Sequence, residues 1–339
     1  MTRILIHDVT LRDGNHAVAH QLSENQIISY AKAANAAGVP IVEVGHGNGI
    51  GASSLQVGES AINDERMLSA AKECLTNSKL AIHAIPGFAT INRDLKKALD
   101  LGVDVVRVAS HCTEADVTQR HINYVRGRGK EAIGALMMSH MASPDVLVVE
   151  AQKMESYGAE GVVIYDSSGA YLPDQVRERI ALLVGKLNIP VGFHAHNNLG
   201  MGIANSITAV EAGATIIDGS ARGFGAGAGN AQLEVMIAVL AKMGHSTGID
   251  LYKILDASDI AEKELMKELP RIKSLSVISG LAGVFSGFVK PVERISKEYN
   301  VDPRDVFFEL GRRQVVAGQE DIIIEVAAEL ASRAGEKKP

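Results

Sequence analysis

Tryptophan is absent from this chain, and aromatic residues make up only 4% of its 339 positions. A core of that size must therefore be packed from Val, Ile, Leu, Ala and Met rather than built around large rings. Cysteine is almost missing as well. Cys74 and Cys112 are too few for a disulfide framework and lack metal-site spacing, so a reducing cytoplasm is the expected compartment. No run of about 18 apolar residues occurs, which excludes a membrane span. The first residues reach Asp8 before the apolar core of a signal peptide can form. Positive charge is in short supply. A formal charge of −6 and a pI near 6.0 argue against a nucleic-acid or anionic-membrane surface, and Arg126, Arg128 and Lys130 read as a solvated turn.

What the chain does have is glycine, 33 of them, and an apolar content of 46%. That combination suits a protein full of tight strand-to-helix turns. Short β-rich runs at 4–10, 41–45, 80–85, 105–109, 132–138, 161–166, 191–196 and 216–220 alternate with helical patterns. Ser23 with Gln26 forms a capping box, and Ser143 followed by Pro144 is an N-cap with proline in the first turn. Gly38, Gly102, Gly158 and Gly213 each close a helical run where a left-handed cap is needed. Eight such units predict an α/β fold, a (β/α)8 TIM barrel, with the open doubly wound sheet as the alternative. Residues 1–256 are assigned to the barrel. Beyond them the alternation stops, and 257–269, 305–313 and 322–333 read as helices of a C-terminal helical domain, 257–339, ending in a basic tail at 336–339.

A barrel keeps its chemistry at the carboxyl ends of its strands. Polar residues gather there: Arg12, Asp13 and His16; His46; His111; His140; Asp166, Ser167 and Ser168; His194 and His196; Arg222. In Gly192-Phe-His-Ala-His-Asn-Asn-Leu-Gly200 a strand puts His194 and His196 on one face, so two imidazoles converge as a divalent metal requires. A surface or hydrogen-bonded strand would carry the same pair, and the third ligand has to come from elsewhere, with the 8–16 stretch as the best source. Two weaker signals are set aside. The 223–229 glycine loop lacks the Lys-Ser/Thr of a P-loop and is read as close backbone packing under a metal site. Cys112 beside His111 lacks a third group and is not read as a nucleophile.

Asp-x-Thr-Leu-Arg-Asp-Gly (8–14) together with His-Ala-His-Asn-Asn-x-Gly (194–200) resembles the pyruvate-aldolase, isopropylmalate-synthase and hydroxymethylglutaryl-lyase superfamily of metal-dependent barrels, and within it the 4-hydroxy-2-oxovalerate aldolases. Val44-Gly-His-Gly-Asn-Gly49, the 107–117 block, Tyr165-Asp-Ser-Ser-Gly169 and Gly225-Ala-Gly-Ala-Gly-Asn230 extend the likeness over nearly the whole chain. The resemblance implies that Asp13, His194 and His196 hold a divalent metal, usually Mn²⁺, which chelates a 2-oxo acid and stabilises the enolate formed when its C3–C4 bond breaks. Arg12 would add a fixed positive charge for the enolate oxygen. His16 would be the base that removes the 4-hydroxyl proton, a task suited to an imidazole at neutral pH. Ser168 and His194 would contact substrate.

The resemblance also frames two departures. Relatives commonly carry a tyrosine where this chain has Phe285, in Gly283-Val-Phe-Ser-Gly-Phe288. On strand three, where relatives tend to place leucines around the aldehyde, this chain reads Ile82-His-Ala-Ile-Pro86, so His83 and Ile85 line that side. An aldehyde other than, or larger than, acetaldehyde is expected. An acylating aldehyde dehydrogenase docked on 257–339 is the implied partner, and the assembly is expected to be an oligomer. Two rivals share the residues: a Claisen-type acyl-CoA enzyme on the same metal, and a silent barrel serving as scaffold to a dehydrogenase.

Overall fold

Eight parallel strands form the centre of the protein: β1 Leu5–Leu11, β2 Ile41–Val44, β3 Lys79–Ala84, β4 Val105–His111, β5 Glu131–Met137, β6 Val162–Asp166, β7 Val191–Ala195 and β8 Ile216–Gly219. They pair in sequence order, and β8 closes on β1 through the register Leu5↔Ile216 to His7↔Asp218. The result is the expected (β/α)8 barrel and not the open sheet. The computed structural model describes residues 3–316 and 318–336; of the basic tail, 337–339 lie outside the described residues.

The strands bury both faces, so most read as continuous apolar runs rather than alternating ones. Val42, Val44, Leu80, Ile82, Val106, Val108, Ile164 and Phe193 face the helices in one continuous core. The opposite set, Ile41, Ala81, Val105, Ile133, Val163 and Ile216, fills the barrel interior. Above that interior floor the inward positions turn polar. His7, Glu43, His83, Arg107, Tyr165, His194 and Asp218 are all fully or nearly fully buried.

Helix caps follow the local chemistry. Ser23 and Gln26 make the reciprocal capping box on Glu24–Ala37, and Gly38 caps its end at φ +79°. Ser143 accepts from Val146 N–H at the start of Pro144–Ser156. The final region differs from expectation in where it begins and in holding two further helices, Ser274–Ala282 and Val289–Tyr299. A helix begins at Leu251, because Asp250 caps it by accepting from Lys253 N–H, and it ends in one wide turn at Ala261–Leu265. Ile254, Ala257, Ala261 and Leu265 belong to the barrel's core, so a division at 256/257 cuts through a helix that packs on the barrel. A second core, centred on Val284, Phe288, Val292, Ile295, Val306, Phe307, Leu310, Ile323 and Val326, is built by Ser274–Ala282, Val289–Tyr299, Pro303–Arg312 and Asp321–Glu336. Residues 283–288 bridge the two bodies. Ser286 N–H donates to Ser167 O at 3.1 Å and Gly283 O lies 2.8 Å from His140 Nε2.

Candidate active site

The end of β1 is fixed before any chemistry begins. Thr10 N–H donates to Asp8 Oδ1 at 2.9 Å, Tyr30 O–H donates to Asp8 Oδ2 at 2.7 Å, and Ala221 N–H donates to Thr10 Oγ at 2.8 Å. From that anchored end the chain turns into the short helix Asp13–His16, which swings Asp13 over the barrel mouth. There it meets β7. Asp13, His194 and His196 each offer a ligand atom, and these atoms lie within 4.8 Å of one another, all three residues being buried. The histidine rings stand 5.1 Å apart at 66°, as two side chains from one strand face should.

The donor set suits a divalent cation. His194 Nδ1 sits 2.8 Å from Asp218 Oδ2, which orients the ring and leaves Nε2 as the ligand. His196 Nδ1 is buried with no partner among the described residues. Asn230 Nδ2 donates to Asp13 Oδ2 at 2.7 Å and Arg12 Nη1 to Oδ1 at 2.7 Å. One carboxylate and two imidazoles leave room for substrate oxygens, as catalytic metal sites do. Burial opposes ionisation of Asp13, but Arg12 and the neighbouring histidines outweigh it and hold the carboxyl well below the usual range. Burial lowers His196 to about 3, so it stays neutral and able to ligate.

Beneath these ligands runs a chain of shared charges. Arg12 Nε donates to Glu43 Oε1 at 2.6 Å, Arg107 Nε to Glu43 Oε2 at 2.6 Å, and Arg107 Nη1 to Asp218 Oδ2 at 2.6 Å. Asp13 is thus linked to His194 through the barrel interior. Two atoms of this network, Arg12 Nη2 and Asp218 Oδ1, are buried with no partner among the described residues, and burying a donor such as Nη2 unsatisfied is costly. An incoming oxygen can take it.

His16 lines a cleft of ≈ 530 Å³ that opens between the 224–227 glycine loop and the 267–273 and 286–290 segments. Its ring packs flat against Gly47, where a Cβ would come within 2.5 Å, and edge-on to His20 at 5.1 Å. Burial lowers the His16 pKa below the ordinary imidazole value, with Asp13 opposing; the ring is neutral at pH 7. Ser168 Oγ is 3.2 Å from His140 Nδ1. His83 and Ile85 both point into the barrel, His83 stacked 6.0 Å from Tyr165 and Ile85 on the interior cluster. Phe285 packs on the helical core, T-shaped to Phe288 at 5.8 Å, while Ser286 and Gly287 face the cleft.

Other rim residues serve structure. Arg222 ties Glu234 at 3.1 Å and Glu262 at 3.0 Å, anchoring the 251–265 segment. Cys112 Sγ donates to Met138 O at 3.3 Å, and burial pushes its thiol up to about 12. The glycine loop packs under the ligands as read: a Cβ at Gly225 would lie 2.5 Å from Asp13 Oδ2 and 2.4 Å from Asn230 Nδ2. Glu43, Arg107, Asp218, Tyr165 and Asn230 were missed as site residues. A signal for the first three existed, since each is a lone charge at an inward position of an apolar strand.

Residues 3–261 match the HMGL-like family model, and residues 270–332 match the DmpG-like communication domain. The chain is 64% identical, over 98% of its length and 96% of the relative's, to the 4-hydroxy-2-oxovalerate aldolase of Pectobacterium atrosepticum. It is 66% identical, over 97% of both chains, to that of Spirochaeta aurantia. This chain belongs to the HMGL-like family, among its 4-hydroxy-2-oxovalerate aldolases. The fold is shared with solved structures. The N-terminal domain of a putative aldolase from Bacteroides vulgatus superposes with a TM-score of 0.73 at 24% identity, covering 87% of this chain and 97% of that one. The carboxyl transferase domain of Rhizobium etli pyruvate carboxylase gives 0.80 at 16% identity, covering 98% and 61%. At these identities the likeness shows the fold alone.

Proposed function

We propose that this chain is a carbon–carbon lyase that cleaves a 4-hydroxy-2-oxo acid, reversibly, to pyruvate and an aldehyde. Asp13, His194 and His196 hold a divalent cation, with Mn²⁺ the expected ion. When bound, that cation supplies a Lewis acid for the 2-oxo and carboxylate oxygens of the substrate. Arg12 presents its unpartnered Nη2 to the oxygen on which charge develops, a donor already fixed by Glu43 and Asp13 and therefore needing no reorganisation.

His16 takes the proton of the 4-hydroxyl as the C3–C4 bond breaks. The alkoxide's electron pair becomes the aldehyde carbonyl, and the bond pair passes to C3 as the enolate of pyruvate. A proton from solvent water at C3 completes cleavage while His16 gives up its proton to solvent, and in condensation protonated His16 supplies the proton of the new alkoxide. A neutral imidazole is required for the first step, and burial keeps His16 neutral. Ser168 lies on the substrate side with its hydroxyl set by His140. His83 and Ile85 face the aldehyde half, and Phe285 acts from behind by seating Ser286 and Gly287 at the cleft.

The catalytic unit runs through the wide turn at 261–265, and the communication region follows it. That region would dock an acylating aldehyde dehydrogenase, which oxidises the released aldehyde, within an oligomeric assembly. The observation that carries the reading is the meeting of Asp13 with the β7 histidines beside an orphaned arginine donor. A lactate-dehydrogenase-coupled assay for pyruvate, run without coenzyme A, tests it. Pyruvate release that is lost on chelation and restored by Mn²⁺ is expected. Turnover that requires an acyl-CoA, or that survives exhaustive chelation, would refute it.

A further inference from the structure

Two buried polar groups beside the metal ligands take no part in the chemistry above. The Tyr165 hydroxyl and His83 Nδ1 are both shielded from solvent and without a hydrogen-bond partner among the described residues. Tyr165 is 4% exposed and His83 2%. Each such atom left unsatisfied in the interior carries a desolvation cost, and these two stand in a barrel interior that also leaves His7 Nε2 and Asp218 Oδ1 without a partner among the described residues.

Their placement says what they would touch. Both stand on inward positions close to the carboxyl ends of their strands, Tyr165 on β6 and His83 on β3, the end at which a barrel opens to substrate. Tyr165 stacks on the proposed ligand His194 at 4.5 Å and 24°, has the Arg107 guanidinium over its ring at 5.1 Å, and lies 6.0 Å from the His83 ring. Ile85, two residues after His83, supplies apolar wall in the same interior cluster. On the aldolase reading, in which His83 and Ile85 face the aldehyde half, the pair faces the part of the substrate beyond the reacting carbons. An all-alkyl tail would leave both polar atoms dry and unpaired.

We infer that the preferred aldehyde half carries a hydroxyl group, held by Tyr165 and His83. This rests on the aldolase reading and adds the substrate class to it. A hydroxyl both donates and accepts, so it satisfies a phenol and a neutral imidazole whichever nitrogen bears the proton. Burial keeps His83 neutral, with its pKa lowered to about 3. A carboxylate tail is disfavoured by the surrounding charge. Two guanidiniums, Arg12 and Arg107, face three carboxylates, Asp13, Glu43 and Asp218. A divalent cation leaves one positive charge over, and the substrate's own carboxylate uses it.

Isosteric substrate pairs separate a hydroxyl from a methyl at equal size. The Mn²⁺-loaded enzyme is given 4-hydroxy-2-oxo acids whose aldehyde halves are propanal or glycolaldehyde, and butanal or 3-hydroxypropanal, together with one that releases a carboxylate-bearing semialdehyde. Pyruvate release is followed. The hydroxylated member of at least one pair should exceed its alkyl isostere by tenfold or more in kcat/KM, the scale set by a site that leaves its polar groups unpaired with the wrong ligand. Tyr165→Phe and His83→Leu should each bring that ratio to within about threefold of unity, a change in selectivity that a merely structural role would not produce. Equal or alkyl-favouring ratios in both pairs, or preference for the semialdehyde acid, would overturn the inference while leaving the aldolase reading intact. Pyruvate from none of the substrates would sink both.

Discussion

Asp218 is the point where the charged interior meets the proposed metal ligands, and replacing it with asparagine tests that connection. Its Oδ2 takes Arg107 Nη1 at 2.6 Å and faces His194 Nδ1 at 2.8 Å, with all three side chains buried. Burial pushes the Asp218 carboxyl up, but Arg107 and His194 outweigh it and hold the group at about 2; it is an anion at any working pH. Asp218→Asn keeps the size and, with its oxygen turned towards the two donors, the geometry. Only the charge goes. Arg107 is then left with Glu43 as its single carboxylate, and unbalancing a buried ion pair costs about 3–5 kcal/mol. His194 loses a charged acceptor behind its ligand nitrogen, a change that weakens metal affinity by about 10–100-fold. Urea denaturation of the metal-free protein reads the first effect, and Mn²⁺ binding followed by electron paramagnetic resonance of the free ion reads the second. A variant within about 1 kcal/mol of the parent and within threefold in Mn²⁺ affinity would show that the interior charges do not support the ligand set, and the argument for a linked network would fail.

His16→Ala should slow pyruvate release at pH 7 by at least about tenfold while Mn²⁺ affinity is unchanged; an unimpaired rate removes His16 from the reaction. Gly225→Ala drives a methyl against Asp13 and Asn230 and is expected to weaken Mn²⁺ binding by more than about tenfold, whereas parent-like binding would show that the loop can yield. Stability should fall in mild acid. Burial holds His7 and His140 at about 4 and His83 at about 3, so the unfolded chain takes up protons first as pH drops. Their contribution is therefore complete above about pH 6.5 and is lost on the way down towards 4. At pH 5.5 each costs about 1.4 kcal/mol. The buried carboxyls of Asp166 and Asp8, raised to about 7 and about 6, partly offset this because they gain stability on protonation. The urea midpoint of the metal-free protein should drop by roughly 0.4 M from its value at pH 7.5; an unchanged midpoint contradicts this. Cys112→Ala should leave turnover within about twofold, because the thiol is buried and protonated, and a larger loss would reopen a role for it.

The barrel was legible because its strands are short apolar runs set between helical patterns, with glycine stops Gly38, Gly102, Gly158 and Gly213 ahead of β2, β4, β6 and β8. Gly38 shows the reason: its φ of +79° is one that other residues adopt at a cost, so the stop is written in the residue itself. The candidate metal ligands were legible in two steps. Alternation along a strand put His194 and His196 on one face, a placement an ordinary strand would share, and Asp13 joined them only through the family resemblance. The boundary near 256 was not legible, since Asp250 starts a helix whose apolar face packs back on the barrel, and only tertiary contact reveals that. Nor was Tyr165 recognisable as a site residue. In a strand buried on both faces a tyrosine looks like core, and its unpartnered hydroxyl becomes visible only once the neighbouring strands are in register.

Glu43 gives one oxygen to Arg12 and the other to Arg107, so neither arginine can be exchanged without stranding a charge that the other still needs. Such an arrangement constrains inheritance. Drift among descendants of this protein should spare Arg12, Glu43, Arg107 and Asp218 or alter them jointly, whereas His83, Ile85 and Tyr165, which no ion pair ties to the rest, are free to vary one at a time. New specificities would then arise by single steps on one wall of the barrel, above an electrostatic keel that stays fixed.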